Sequence, residues 1–132
     1  MLKKKIKYTD YNGEIQEEVF YFNLTKAEVV ELELSTAGGM KNLIEQITNT
    51  RDMPKLIALF KKLIKMSYGE KSLDGKRFIK SSELSDAFTQ TEAYSELFME
   101  LATDDKAATE FVNGILPGDL VSQAELALAG DE

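Results

Sequence analysis

The chain has 132 residues, of which 43% are hydrophobic and 30% charged, and its net charge is −7. This length supports a single domain with a substantial core, and the composition is ordinary for a globular protein. The chain has no cysteine and no histidine, which excludes disulfides, thiolate metal sites, thiol nucleophiles and imidazole bases. We expect no cofactor.

No apolar run is long enough to span a membrane, and the basic N-terminus leads into alternating residues rather than into the apolar region of a signal peptide. We therefore expect the protein to remain in the cytoplasm in which it is made, without a membrane partner. Its acidity also argues against general binding to nucleic acid.

Charge is unevenly distributed along the chain. Residues 55–80 carry eight Lys or Arg against Glu70 and Asp74, whereas residues 81–132 carry twelve Asp or Glu against Lys106 alone. The two segments could neutralise each other within one molecule. Alternatively, the basic surface of one copy could meet the acidic surface of the next, which would give a homo-oligomer. The sequence leaves both arrangements open.

Residues 2–23 predict a β-hairpin, because Asn12-Gly13 is a strong signal for a type I′ turn. Such a turn pairs Tyr11 with Glu14. One face then carries Leu2, Ile6, Tyr8, Ile15, Val19 and Tyr21, and the other carries Lys3, Lys5, Lys7, Glu18, Phe20 and Phe22. A lone hairpin is unstable, so it should pack on helices or join a sheet from another copy. The lysines are typical of an edge strand protected against aggregation.

Residues 52–69 predict the central helix. Asp52 is expected to be its N-cap, with Pro54 in the first turn and Gly69 just past the end. Phe60 and Leu63 lie at the centre of the apolar face and should be fully buried. The apolar positions are Met53, Leu56, Ile57, Leu59, Phe60, Leu63, Ile64 and Met66. This wide arc predicts neighbours on two sides.

An earlier helix is predicted to start at Thr25, where Thr25 and Glu28 match a capping box and Leu24 and Val29 a hydrophobic staple. Apolar residues at helical spacing predict a second helix over residues 40–50.

After the central helix comes a polar connector with a turn at Asp74-Gly75. Three further helices are predicted to begin at Ser82, near Thr91 and at Asp104. The fold class is therefore α+β and mainly helical, an N-terminal β-hairpin packed on a compact bundle of five to six helices. The single domain spans residues 1–132, divided into a hairpin at 1–23, a bundle at 24–117 and a C-terminal amphipathic segment at 118–132.

The best carboxylate cluster is Asp104-Asp105, with Glu100 and Glu110 nearby. It lacks the spacing and central glycine of a calcium loop. Carboxylates at this position also cap a helix and favour its dipole, which is the interpretation we prefer. No motif reaches catalytic specificity, so we expect neither an enzyme nor a metal site.

The segments YGEKS, DGKRF, AYSELFMEL and FVNGILP lie between Ser67 and Pro117. Together they resemble the tail assembly chaperones of long-tailed phages and prophages of Gram-positive bacteria, and FNLTKAEVVEL extends the likeness upstream more weakly. The resemblance implies a non-catalytic protein that binds the tape measure protein and keeps it soluble during assembly of the tail tube. It also implies a location in the host bacterial cytoplasm and absence from the mature virion, with the tail tube protein as a further partner to consider. The alternative is a structural tail or capsid-completion protein that stays in the virion.

Apolar residues beyond those that one domain buries are the candidates for binding a partner. They are Leu59, Met66, Met99, Leu120, Val121 and Leu128. Completion of the core is the preferred interpretation of Leu59 and Met66. The binding hypothesis therefore depends mainly on the C-terminal segment, which is too short to hold a helix by itself. We expect this segment to dock on a neighbouring copy or on the tape measure protein.

Overall fold

A computed structural model describes residues 1–35, 38–39, 42–43, 45–46 and 52–117. Within them lie four strands and five helices, so the fold is α+β and mainly helical, as predicted. In chain order the elements are β1 (Leu2–Thr9), β2 (Ile15–Phe22), α1 (Lys26–Ser35), α2 (Met53–Ser67), β3 (Tyr68–Lys71), β4 (Phe78–Ile79), α3 (Ser82–Thr89), α4 (Glu92–Thr103) and α5 (Asp105–Ile115). Most of the predicted second helix, over residues 40–50, falls outside the described residues.

The N-terminal hairpin is confirmed, but its predicted turn and register are wrong. Gly13 has φ +80° and no non-glycine residue has a positive φ, whereas a type I′ turn needs positive φ at both central residues. The N–H of Gly13 donates to the carbonyl of Asp10, and the N–H of Asp10 to that of Glu14. The loop is therefore a type I turn followed by a left-handed glycine. The Asp10 carboxylate, which accepts from the N–H groups of Asn12 and Glu14, stabilises it.

This longer loop shifts the register by one residue. Ile6 pairs with Glu18 rather than with Val19, and Leu2 pairs with Phe22. Because side chains alternate along a strand, the shift moves every side chain of β2 to the opposite face. Phe22 is consequently fully buried, while Ile15 and Val19 face outward.

The hairpin belongs to a larger antiparallel sheet of order β1-β2-β3-β4. Tyr21 pairs with Gly69 and Phe22 with Tyr68, and β3 pairs in turn with β4. The segment predicted as a connector after Gly69 thus contains two short strands. The predicted turn between them is confirmed: Gly75 has φ +72° and the Asp74 carboxylate accepts from the N–H of Lys76.

The central helix starts as predicted and ends differently. Asp52 is its N-cap, accepting from the N–H of Lys55, and Pro54 lies in the first turn. The predicted role of Gly69 as the residue just past a helical end is wrong, because the chain enters β3 directly at Tyr68. A Cβ on Gly69 would lie 2.7 Å from the carbonyl oxygen of Ile79. Glycine is therefore required there by the close approach of β4.

The core lies between the sheet and the helices. Helix α2 packs against α3 and α4, and β1 packs against α4, which matches the prediction that the central helix has neighbours on two sides. Phe60 and Leu63 are 2% and 1% exposed, as expected. The buried hydrophobic residues are Ile6, Phe22, Leu24, Val29, Leu32, Leu43, Leu56, Phe60, Leu63, Ile64, Phe88, Ala93, Leu97, Leu101, Ala108, Phe111, Val112, Ile115 and Leu116.

Helix starts follow the local sequence closely. The N–H of Thr25 donates to the Glu28 carboxylate and the N–H of Glu28 to the Thr25 hydroxyl, which confirms the capping box. Ser81 caps α3, Thr91 caps α4 and Asp104 caps α5. In the described ranges no helix is both long and apolar enough to cross a membrane.

Candidate partner-binding surfaces

The carboxylates at Asp104-Asp105 have a structural role. The Asp104 side chain accepts from the N–H groups of Lys106 and Ala107, and so caps α5. Asp105 lies in the first turn of that helix, where a carboxylate is favoured by the helix dipole. Among the described residues, no group of three or more acidic side chains is arranged to hold a metal ion.

Leu59 and Met66, the predicted binding residues on α2, are partly buried and pack against the hydrophobic core. The expectation that they mainly complete the core agrees with this position. Met66 also lines a polar groove with Lys65, Lys80 and Ser85, so part of its surface remains accessible.

Met99 is the predicted binding residue that the structure places at the surface. Its side chain is 56% exposed. It lines a groove between β1 and α4 whose floor includes Ile6 and Leu97. The ammonium of Lys4 lies 2.6 Å from a carboxylate oxygen of Glu100 and ties the two walls together. The groove thus offers an accessible thioether beside paired charges.

The remaining candidates, Leu120, Val121 and Leu128, lie outside the described residues. The prediction that they bind a partner therefore stays a prediction.

A further candidate surface follows from the corrected register. The face of the hairpin that points away from the helices carries Ile15 and Val19, which are 69% and 47% exposed, and the half-buried Tyr21. The sequence interpretation assigned all three to the face with Ile6 and did not find this surface. The signal was present in the Asp10–Glu14 loop, because Asp10 favours a longer loop than Asn12-Gly13 alone predicts.

A row of exposed lysines borders this apolar stripe. Lys3, Lys5 and Lys7 alternate along β1 and point to the same side as Val19 and Tyr21. The ammonium of Lys5 is 2.8 Å from the Glu17 carboxylate, and the hydrogen bond between them raises the pKa of Lys5 and lowers that of Glu17. We call Ile15, Val19, Tyr21 and these three lysines the open face of the sheet.

Two ion pairs connect distant parts of the chain. Lys65, in the basic segment, lies 3.1 Å from Asp86 in the acidic segment, so part of the segregated charge is neutralised within one molecule. Lys80 lies 2.7 Å from Glu28. Burial raises the pKa of Glu28, but the bonds from Lys80 and Thr25 outweigh this effect and hold it below its usual value. In contrast, Lys61 and Lys62 are exposed.

These surfaces offer apolar and charged contacts rather than a catalytic centre, and comparison with known families decides what kind of protein carries them. A family model described as phage tail assembly chaperone matches residues 1–129. The chain belongs to this family. The match covers nearly the whole chain and confirms the family that the YGEKS to FVNGILP segments resemble. No curated protein and no solved structure matches the chain.

Proposed function

We propose that this tail assembly chaperone binds the phage tape measure protein and keeps it soluble until the tail tube forms, without catalysing a reaction. Its membership of the chaperone family carries the proposal. The tail tube protein is a second proposed partner, since the client is handed over as the tube assembles.

The surface chemistry supports this role. A chaperone for an apolar, helical client needs accessible apolar side chains on a charged, soluble body. Met99 and Val19 are accessible in this way, and an unbranched methionine adapts to different helical sequences. We propose that the C-terminal segment, with Leu120, Val121 and Leu128, makes the main contact with the client, and that Met99 contributes to it. Leu59 and Met66 contribute less, since both pack on the core.

Co-expression with the tape measure protein tests this proposal. The full chain is expected to keep the client soluble, whereas deletion of residues 119–132 is expected to abolish client solubility. The melting temperature of the chaperone should hardly change, because the core cluster lies within residues 6–116. Loss of the client with an unchanged melt supports the proposal. A truncated chain that still keeps the client soluble would place the binding surface elsewhere.

The proposed location is the host bacterial cytoplasm, with the protein absent from finished particles. Mass spectrometry of purified particles checks this part. Its peptides should be missing from particles and abundant in the lysate before assembly. Peptides present in particles at the level of a tail component would instead identify a structural protein that stays in the virion.

A further inference from the structure

The open face of the sheet combines apolar and basic side chains without a described cover. Val19 is 47% exposed, although it lies in the middle of β2. Beside it, the side chains of Lys3, Lys5 and Lys7 are all exposed. An apolar stripe next to a basic row is suited to an apolar segment that carries acidic residues.

We propose that the C-terminal segment, residues 118–132, folds back over the open face of its own chain when no client is bound. This inference goes beyond the proposed function, because it concerns the chaperone alone. It also gives the apolar residues of that segment a cover before a client is present.

The position at which the described chain ends supports this arrangement. The carbonyl of Ile115, the last residue of α5, accepts from the N–H of Leu24 at 2.8 Å. A Cβ on Gly114 would lie 2.8 Å from Leu2, so α5 ends against the start of β1. Since Leu2 pairs with Phe22, the chain leaves α5 at the end of the sheet where β1 begins and β2 ends.

The segment is long enough to cover the stripe. From Phe22 to Ile15 is seven residues of β2, or about 23 Å at roughly 3.3 Å per residue. Residues 118–132 span about 50 Å if extended and about 22 Å if helical. In either conformation the segment can pass from the end of α5 to the stripe and run along it.

The charges of the two surfaces are complementary. The segment contains four acidic residues and no basic one: Asp119, Glu125, Asp131 and Glu132. The open face contributes three lysines, of which only Lys5 has an ion-pair partner among the described residues, at Glu17. Contact of acidic side chains with Lys3 and Lys7 would bring Leu120, Val121 and Leu128 onto the apolar stripe.

A cleft next to the stripe adds a concave place for an apolar side chain. Beyond the pair Tyr21–Gly69, β2 and β3 separate. They leave a cleft of about 300 Å³ that is lined by Val19, Tyr21, Tyr68 and other residues of the two strands. The cleft opens beside the stripe, so a leucine of the segment can enter it while the acidic residues reach the lysines.

The segment of the same chain has an advantage over that of a second copy. A short linker gives the attached segment an effective concentration in the millimolar range. At micromolar protein concentration, binding within one molecule therefore outcompetes the same contact between molecules.

Paramagnetic relaxation in solution tests the proposal on the full chain. The chain has no cysteine, so Gly130→Cys provides a unique site for a spin label in the segment. In dilute, low-salt solution of ¹⁵N-labelled protein, amide signals of residues 3–7 and 15–21 should lose most of their intensity. Signals of residues 55–62 on α2 should keep theirs. Unchanged intensities on the open face would overturn the proposal.

A mixed sample separates the chain's own segment from that of a neighbour. Spin-labelled protein without ¹⁵N is mixed with an equal amount of ¹⁵N-labelled protein without a spin label. The proposal predicts full intensity on the open face in this mixture. Broadening in the mixture as strong as in the doubly labelled chain would assign the contact to a second copy and overturn the proposal.

Charge reversal tests the recognition itself. Lys3→Glu, Lys5→Glu and Lys7→Glu together should restore the signals, whereas the matched reversal of Lys55, Lys61 and Lys62, which are exposed on α2, should not. Because changes in β1 can disturb the hairpin, Asp119→Lys with Glu125→Lys provides a reversal outside the described fold. It should also restore the signals, and its combination with the β1 reversal should bring the broadening back. Broadening that persists through both reversals would contradict recognition by charge.

Discussion

At the scale of single residues, Leu63 shows how burial determines the effect of a substitution. Its side chain is 1% exposed within the core cluster. Leu63→Ala should lower the free energy of unfolding by about 2–5 kcal/mol, because the methyl groups lose their contacts and leave a cavity. Denaturant unfolding measures this change. Leu59→Ala on the same helix is the matched control and should have a smaller effect, since Leu59 is only partly buried. Equal effects of the two substitutions would mean that the face of α2 is wrongly assigned.

Glu28 gives a pH-dependent prediction. Its folded pKa lies below the usual 4.5, because the bonds from Lys80 and Thr25 outweigh the opposing effect of burial. A carboxyl with a depressed folded pKa stabilises the fold fully above its unfolded pKa, and this stabilisation is lost as the pH falls through the folded pKa. Glu28→Gln can keep the capping box but loses the ion pair with Lys80. It should cost roughly 0.5–1 kcal/mol at pH 7.

The same substitution should become nearly neutral in acid, below the folded pKa of Glu28. Unfolding curves of both proteins across the acid range measure this convergence. Glu31→Gln, at an exposed position on the same helix, should have little effect at any pH. A constant difference between wild type and Glu28→Gln at all pH values would show that the carboxylate charge is not the source.

At the scale of elements, local signals in the sequence predicted the ends of helices well. Asp52, Thr91 and Asp104 cap helices where expected, because an N-cap bonds only to backbone within its own first turn. The end of α2 was not predictable in this way. There Tyr68 pairs with Phe22, and this pairing between distant segments overrides the local signal of Gly69.

The register of the hairpin illustrates the same limit. Asn12-Gly13 indicated the correct position of the turn, but the hydrogen bonds of Asp10 lengthened the loop. One extra residue was enough to exchange the two faces of β2. The open face therefore could not be found from alternation alone, since Phe20 and Val19 are both apolar and either could point inward.

Two truncations in β2 test the register directly. Phe22 is fully buried, and its ring lies 5.4 Å from that of Phe111. Phe22→Ala should cost about 3–5 kcal/mol. Val19→Ala should cost less than about 1 kcal/mol, because the side chain is already 47% exposed. Thermal or denaturant unfolding of the two variants measures the difference. A larger effect at Val19 would support the register predicted from the sequence.

At the scale of the whole molecule, the sequence predicted which residues are apolar but not which of them the fold would cover. Leu59 and Met99 have similar chemistry, yet one packs on the core and the other is 56% exposed. Their difference depends on how α2 and α4 pack against their neighbours, which no local pattern specifies. The family, by contrast, could be identified from the sequence because its segments extend over the whole fold.

The distribution of charge leads to the last prediction, which concerns self-association. Lys65 pairs with Asp86 within the molecule, but Lys61 and Lys62 remain exposed on α2. We expect these lysines to attract the acidic surface of another copy at low ionic strength. Screening acts over about 8 Å at 0.15 M salt, so the association should weaken steeply as salt is added. Sedimentation velocity at low and high ionic strength measures this change. Lys61→Glu with Lys62→Glu should remove the low-salt association, whereas Lys26→Glu, which changes a lysine on another helix, should retain most of it. A monomer at every salt concentration, even at high protein concentration, would leave the pairing within one molecule as the sole role of the segregated charge.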